Sequence, residues 1–393
     1  MPLNRGTIIV VGAGIFGVTA ALELVRRGWR VTLVDPGPIP HPRAASTDIS
    51  KVIRMAYGGD GTYTELMEEA IAIWREWNSS WADPLYHETG VLMMTRTPMA
   101  KGGFESESFR VLEERGLEPY RVSPTDLRNR FPAWRAQHYA DGFYHARGGY
   151  AESGRVVEKL AEACRHQGVD WRLGVRFGGL LEEGSRVGGI RSTSGERLPA
   201  DRVLVAAGAW TPNILPHLAG SFRITGHPIF HFRPPNTRLY GERLFPVFTA
   251  DISRTGWYGF PLNRDGVVKI GNHGPGREVD PDGDRTVTSE DEAPLRAFLE
   301  QTFPTLAPLP VEEKRLCLYC DTRDEHFWID ADPERPGLFV AAGDSGHGFK
   351  FAPVLGRIIA DAVEGNPSPL HARFRWRPRM ESARGEEEAR WHG

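Results

Sequence analysis

Thr7-Ile-Ile-Val-Val-Gly12-Ala-Gly14-Ile-Phe-Gly17, continued through a helix-forming stretch to Val31-Thr-Leu-Val-Asp35, decides the fold of this chain. The run from Thr7 to Val11 is apolar without alternation, the pattern of a strand buried on both faces. Gly12, Gly14 and Gly17 follow in G-x-G-x-x-G spacing. The first glycine permits a tight turn, the second lets the backbone approach a pyrophosphate, and the third lets a helix sit against the strand. The spacing predicts a helix from about Ile15 to Arg27, with Val18, Ala21, Leu22 and Val25 on one face. Arg26 and Arg27 suit its C-terminal dipole, and Gly28 ends it. Asp35 closes the second strand about 20 residues past the glycines, where a carboxylate binds a ribose hydroxyl pair. An acid there selects an unphosphorylated ribose, hence FAD or NAD rather than NADP.

The chain has 393 residues, 40% hydrophobic and 25% charged, with a formal net charge of −3. That length predicts two domains and a large core. The charge points to neither a nucleic-acid nor a membrane surface. Three cysteines exclude a disulfide framework and fit a reducing compartment. No apolar run reaches the roughly 20 residues of a membrane span. The first strand begins too early for a signal peptide, and Arg390-Trp-His-Gly393 is no address such as Ser-Lys-Leu, so the cytoplasm is expected.

After Asp35, Pro36-Gly-Pro-Ile-Pro-His-Pro42 reads as a loop. In Ala44-Ala-Ser46-Thr-Asp-Ile-Ser-Lys51-Val-Ile-Arg54-Met-Ala-Tyr-Gly58, a helical turn would put Lys51 and Arg54 on one face. Such a pair serves a phosphate, a substrate carboxylate or a flavin edge; on an ordinary surface turn it is only solvated. Tyr63 to Trp77 is predicted helical, with Leu66, Ala70, Ile73, Trp74 and Trp77 as a core stripe. His87 to Met94 is strand-like, Ser106 to Arg115 a charged helix, and Ser123-Pro124 the start of a short helix. Ser153 is expected to cap a helix bearing Val157, Leu160 and Cys164, with Cys164 in the core. Strand signals follow at Val187 to Arg191 and Val203 to Trp210. From about Arg223 to Cys320 the alternation, as in Val267-Val-Lys269-Ile-Gly-Asn-His273, predicts a separate, largely antiparallel sheet. Ser289 and Glu292 fit a capping box for the helix bearing Leu295, Phe298 and Leu299. Leu338-Phe-Val-Ala-Ala-Gly343 is another buried strand. It leads through Asp344-Ser-Gly346-His-Gly348-Phe349-Lys350 into a helix whose N-terminus suits negative charge on a cofactor. The tail after Arg373 is expected to be poorly ordered.

The chain resembles the glycine and D-amino-acid oxidase superfamily of flavoproteins, and within it the monomeric sarcosine oxidases and fructosyl-amino-acid oxidases. The most specific segments are Cys317-Leu-Tyr-Cys-Asp-Thr-Arg-Asp-Glu-His-Phe-Trp-Ile-Asp330 and Ala341-Ala-Gly-Asp-Ser-Gly-His-Gly-Phe-Lys-Phe351. The resemblance implies FAD carried through a thioether on Cys317. Read instead as a C-x-x-C pair with Cys320, that cysteine has no second pair to complete a zinc site, and strand alternation puts the two on opposite faces. Tyr258-Gly-Phe-Pro and Lys269-Ile-Gly-Asn-His273 match the family's active-site segment. By resemblance Tyr258 and His273 line the substrate cavity, and Lys269 sits over the flavin where oxygen is activated, a fixed ammonium stabilising developing negative charge. Arg54 and Lys350 match the pair that grips a substrate carboxylate. Lys51 departs from sarcosine oxidases, which carry arginine there. Ser46-Thr-Asp-Ile-Ser-Lys51 resembles the fructosyl-amino-acid oxidases, and Ile53-Arg54-Met-Ala-Tyr-Gly58 the sarcosine oxidases.

The expected architecture is α/β: a discontinuous Rossmann-like FAD-binding domain (1–85, 141–220, 321–375), an inserted, mainly antiparallel substrate domain (86–140, 221–320) and a disordered tail (376–393). Expected cofactor contacts are Gly12, Gly14, Ile15, Phe16, Gly17, Asp35, Ser46, Lys51, Cys317, Gly343, Gly346, Gly348, Phe349 and Lys350. The expected reaction is oxidation of the secondary amine of an N-substituted amino acid, giving an imine and hydrogen peroxide. Its partners are a small amine and molecular oxygen, with no metal, nucleic acid or membrane, and its expected state is a monomer. The alternatives are a fructosyl-amino-acid oxidase, an amine dehydrogenase using a carrier, and a non-catalytic flavin-binding module.

Overall fold

The computed structural model describes residues 5–377 and 389–392. The chain divides into two compact units. The first takes the residues through Ile49, Glu152–Ile224 and those from Leu318 to 377. The second takes Ser50–Ala151, Thr225–Cys317 and 389–392.

The first unit is built on a six-stranded sheet. Its order is Trp328–Ala331, Leu338–Ala342, Arg202–Val205, Thr7–Val11, Arg30–Asp35, Asp170–Leu173. All neighbours run parallel except the edge strand Trp328–Ala331. Ile8 to Val11, Val203 to Val205 and Leu338 to Ala342 are buried throughout, so these strands read as apolar runs rather than alternations. Helix Ile15–Arg26 is followed by Gly28 at φ 92°. It packs on helix Ala352–Glu364 so closely that a Cβ on Gly356 would lie 2.5 Å from the Thr19 carbonyl oxygen. Arg27 ties the two helices together through Asp361 at 2.7 Å and Glu364 at 3.1 Å. Helix Ser153–His166 buries Cys164, whose thiol donates to the Val18 carbonyl at 3.3 Å and is pushed up to about 12 by burial. Ser153 is not the cap expected of it: Glu152 holds that position, and the Ser153 hydroxyl donates to the Asp48 carbonyl.

The second unit carries a nine-stranded, mainly antiparallel sheet and a small one in the order Lys51–Ile53, Gly149–Ala151, Tyr86–His87. One face of the large sheet buries Phe230, Phe232, Phe248, Trp257, Val268 and Ile270 against Leu295, Phe298 and Leu299 of helix Ser289–Thr302. That helix is capped one residue earlier than the sequence suggested. Thr288 and Asp291 form the reciprocal box instead of Ser289 and Glu292. The Ser123 capping box with Asp126 is present. In helix Gly61–Ser80, Ile71 is buried, whereas Ile73 and Trp77 are only partly so.

Among the described residues the crossings between units fall at 49/50, 151/152, 224/225 and 317/318, where the sequence suggested 85/86, 140/141, 220/221 and 320/321. Lys51–Ile53 pairs with Gly149–Ala151, and this ladder draws the intervening helix into the second unit. The pairing also replaces the helical turn expected of Lys51 and Arg54. Arg54 follows that strand by one residue, outside its ladder. The tail also differs from expectation where it is described. Trp376 N–H donates to Asp330 and Arg377 pairs with Asp324, while Arg390 is buried. Residues 378–388 and 393 of the expected disordered tail lie outside the described residues. Among the described residues no helix is long and apolar enough to cross a membrane.

Candidate active site

In the first unit, Gly12 turns at φ 104°, and a Cβ on Gly17 would stand 1.8 Å from the Gly12 carbonyl oxygen. The turn thus needs both glycines before a helix can follow the strand this closely. Gly14 is the N-cap of helix Ile15–Arg26 and has no side chain of its own to cap it. Ile15 N–H donates to Ser46 Oγ at 3.0 Å, which ties Ser46 to the same turn. Asp35 accepts from Ala13 N–H and Gly37 N–H, both at 2.9 Å. Burial pushes its carboxyl up against these two donors. Each carboxylate oxygen keeps acceptor capacity for a ribose hydroxyl. A glycine at the helix start, a close backbone turn and an acid at the second strand fit the pyrophosphate and ribose of FAD.

The second glycine loop meets the first within this unit. A Cβ on Gly348 would lie 2.9 Å from the Phe16 ring, which places Gly348 and Phe16 in contact. Gly343 and Gly346 have φ of 70° and 74°, and Ser345 between them also has positive φ. Phe349 and Lys350 are buried, and the Lys350 ammonium donates to the His347 carbonyl at 2.9 Å. Cys320 N–H donates to Asp344, and burial pushes the Cys320 thiol well up. All three cysteines are free.

In the second unit, Tyr258, Lys269 and His273 share one face of the large sheet. Tyr258 pairs with Gly271 across the strands, and a Cβ on Gly271 would lie 2.8 Å from the tyrosine hydroxyl. Strand alternation puts residues 269, 271 and 273 on this face and Val268 and Ile270 on the core face. Lys269 is 1% exposed, donates to the Ser50 carbonyl at 2.6 Å, and stands 4.5 Å over the Phe260 ring. His231, in register with Lys269, is buried and contacts Glu313 at 3.2 Å through Nδ1. The sequence reading missed Ser50, Phe260 and His231. Cross-strand register alone brings the last two to the lysine, and no spacing motif encodes it.

Lys51 and Cys317 also meet in this unit, the ammonium donating to Sγ at 3.4 Å. Arg54 is buried, donates to the Ala56 carbonyl, and lies 4.5 Å over the Tyr57 ring and 5.7 Å from that of Phe104. The two rings cover the guanidinium.

A parallel sheet with a glycine turn at its central strand and an acid ending the next defines a dinucleotide-binding protein of the Rossmann type. Residues 7–362 match the family model described as FAD dependent oxidoreductase, DAO, and the chain belongs to that family. It is 28% identical to monomeric sarcosine oxidase of Bacillus sp. (strain B-0618) over 358 residues, 90% of each chain. It is also 28% identical to N-methyl-L-tryptophan oxidase of Salmonella arizonae over 367 residues, covering 92% of this chain and 95% of the other. Among solved structures it resembles fructosyl amine:oxygen oxidoreductase (Amadoriase I) from Aspergillus fumigatus. The TM-score is 0.83 at 26% identity, over 100% of this chain and 95% of that one.

Proposed function

We propose that this chain is an FAD-dependent oxidase of the secondary amine of an N-substituted amino acid, releasing an imine, which hydrolyses, and hydrogen peroxide. FAD, when bound, supplies the two-electron redox chemistry, taking electrons from the carbon next to nitrogen and passing them to oxygen. The observation that carries this reading is Lys269, a buried ammonium on the sheet face that also bears Tyr258 and His273. Its hydrogen bond to Ser50 fixes the charge, and a fixed charge in a water-poor site stabilises negative charge developing on oxygen. Tyr258 and His273 line the space for the amine. Arg54 and Lys350 keep, each on its own, the carboxylate-binding role that the resemblance implies, and Cys317 the role of covalent anchor. A monomeric, cytoplasmic enzyme belongs to the same proposal.

A panel of N-methyl, cyclic and fructosyl amino acids, read by peroxide release and oxygen uptake, tests the proposal. Turnover of an N-methyl or cyclic amino acid with stoichiometric peroxide is expected. Flavin reduction without oxygen uptake would replace the oxidase by a dehydrogenase. The likeness to Amadoriase I and the stretch Ser46 to Lys51 favour a second reading, a fructosyl-amino-acid oxidase. Selective turnover of the fructosyl compounds would establish it.

A further inference from the structure

Residues 389–392 pack within the second unit, at the end of the strand that carries Lys269 and leads into His273. Trp391 N–H donates to the His273 carbonyl at 3.1 Å, and Arg390 Nε donates to the Gly274 carbonyl at 3.2 Å. Arg390 is 2% exposed and Ala389 fully buried. The Trp391 ring lies against Gly274, where a Cβ would meet it at 3.1 Å. His273 follows the last ladder residue of strand Val268–Asn272. Its N–H donates to the Gly256 carbonyl at 2.7 Å, and its carbonyl receives Trp391. The backbone of His273 is thus pinned on one side by Gly256 and on the other by residue 391. Lys269 is held differently, paired with His231 inside the sheet and bonded to Ser50.

We propose that Arg390 and Trp391 are positioning residues of the candidate active site, fixing the backbone at His273 and so the place of its imidazole, without bearing on Lys269. The functional consequence rests on the role proposed above for His273; the structural one does not. Ordering a strand end beyond its ladder costs backbone entropy that two further hydrogen bonds offset. Residues 389–392 supply those bonds.

The test uses the FAD-loaded full chain. Trp391→Pro removes the N–H donor, whereas Trp391→Phe keeps it, and Arg390→Met removes the second donor. Loss of one such bond is expected to slow anaerobic flavin reduction by the best substrate of the panel about fivefold. Reoxidation by oxygen after chemical reduction should be unchanged in the same protein, and Trp391→Phe should behave as wild type. The His273 imidazole signal, assigned by its loss in His273→Gln, should shift in histidine-selective NMR of Trp391→Pro and Arg390→Met. An unmoved His273 signal overturns the proposal whatever the kinetics. So does equal slowing of both half-reactions, the mark of a general structural role. Should Trp391→Pro fail to fold, Arg390→Met decides by the same readouts. If the wild-type enzyme turns over no N-substituted amino acid, the proposed function fails, while the NMR comparison still decides whether residues 390 and 391 position His273.

Discussion

The Lys269 ammonium donates to the backbone carbonyl of Ser50 at 2.6 Å. A lysine with 1% exposure is costly to bury unless its charge is held and used. Here a carbonyl dipole and the face of Phe260 hold it. The hydroxyl of the same Ser50 is buried with no hydrogen-bond partner among the described residues.

Replacing Lys269 by methionine keeps most of the packing and removes the charge. Loss of a preorganised charge of this kind costs about 3–4 kcal/mol in the barrier, or roughly a hundredfold to a thousandfold in rate. Stopped-flow reoxidation by oxygen should fall by that order, and anaerobic reduction by substrate much less. Equal slowing of both half-reactions would make Lys269 merely structural and move the dehydrogenase reading up.

Covalent attachment is expected at Cys317, whose Sγ receives the Lys51 ammonium. Acid-precipitated wild-type protein should stay yellow, Cys317→Ala should release its FAD, and Cys320→Ala should retain it. Intact mass without a flavin increment on the wild-type chain would rule the attachment out.

Arg54 and Lys350 are each expected to contribute about 1.5–3 kcal/mol through charge-assisted contacts to a carboxylate. Arg54→Met and Lys350→Met should each raise the apparent substrate constant about tenfold to a hundredfold. An ester turned over as well as the free acid would show that neither cation reads a carboxylate.

Asp324 and Arg377 give a pH-dependent stability. Burial pushes the Asp324 carboxyl up, but the two-pronged hydrogen bond and charge of Arg377 outweigh it and hold the carboxyl below its ordinary value. A carboxyl depressed on folding adds stability above its unfolded pKa and loses it as pH falls through the folded one. Arg377→Ala removes the carboxylate's charged partner and leaves it the Thr322 hydroxyl and the His326 N–H, so a destabilisation of up to about 3 kcal/mol is expected at neutral pH. The melting-temperature deficit of the variant should shrink as pH falls into the acid range, where its carboxyl, no longer held down by Arg377, takes up a proton before the wild-type one does. A deficit independent of pH would assign the loss to packing on Trp328, over which the guanidinium lies at 5.2 Å.

Local rules carried the parts of this protein that local rules govern. The turn at Gly12, the helix to Arg26 and the acid at Asp35 were legible because each depends on residue types a few positions apart. So was the segregation of Lys269 from the apolar residues beside it, since strand alternation has period two. Small shifts escaped, such as the cap at Thr288 instead of Ser289, because neighbouring polar residues offer nearly equivalent capping groups and packing chooses between them.

What only the tertiary structure decided depends on partners far away in the chain. Lys51 and Arg54 look like one helical face until Gly149–Ala151, about a hundred residues on, pairs with Lys51–Ile53 as a strand that stops just short of Arg54. Residues 389–392 have the composition of a loose tail, yet the carbonyls of His273 and Gly274 give them hydrogen bonds and a buried place. Ser50, Phe260 and His231 surround Lys269 through cross-strand register and a carbonyl contact more than two hundred residues away. A sequence specifies each ladder's alternation on its own strand, but which strands meet, and in which register, is settled by the burial of all their faces together.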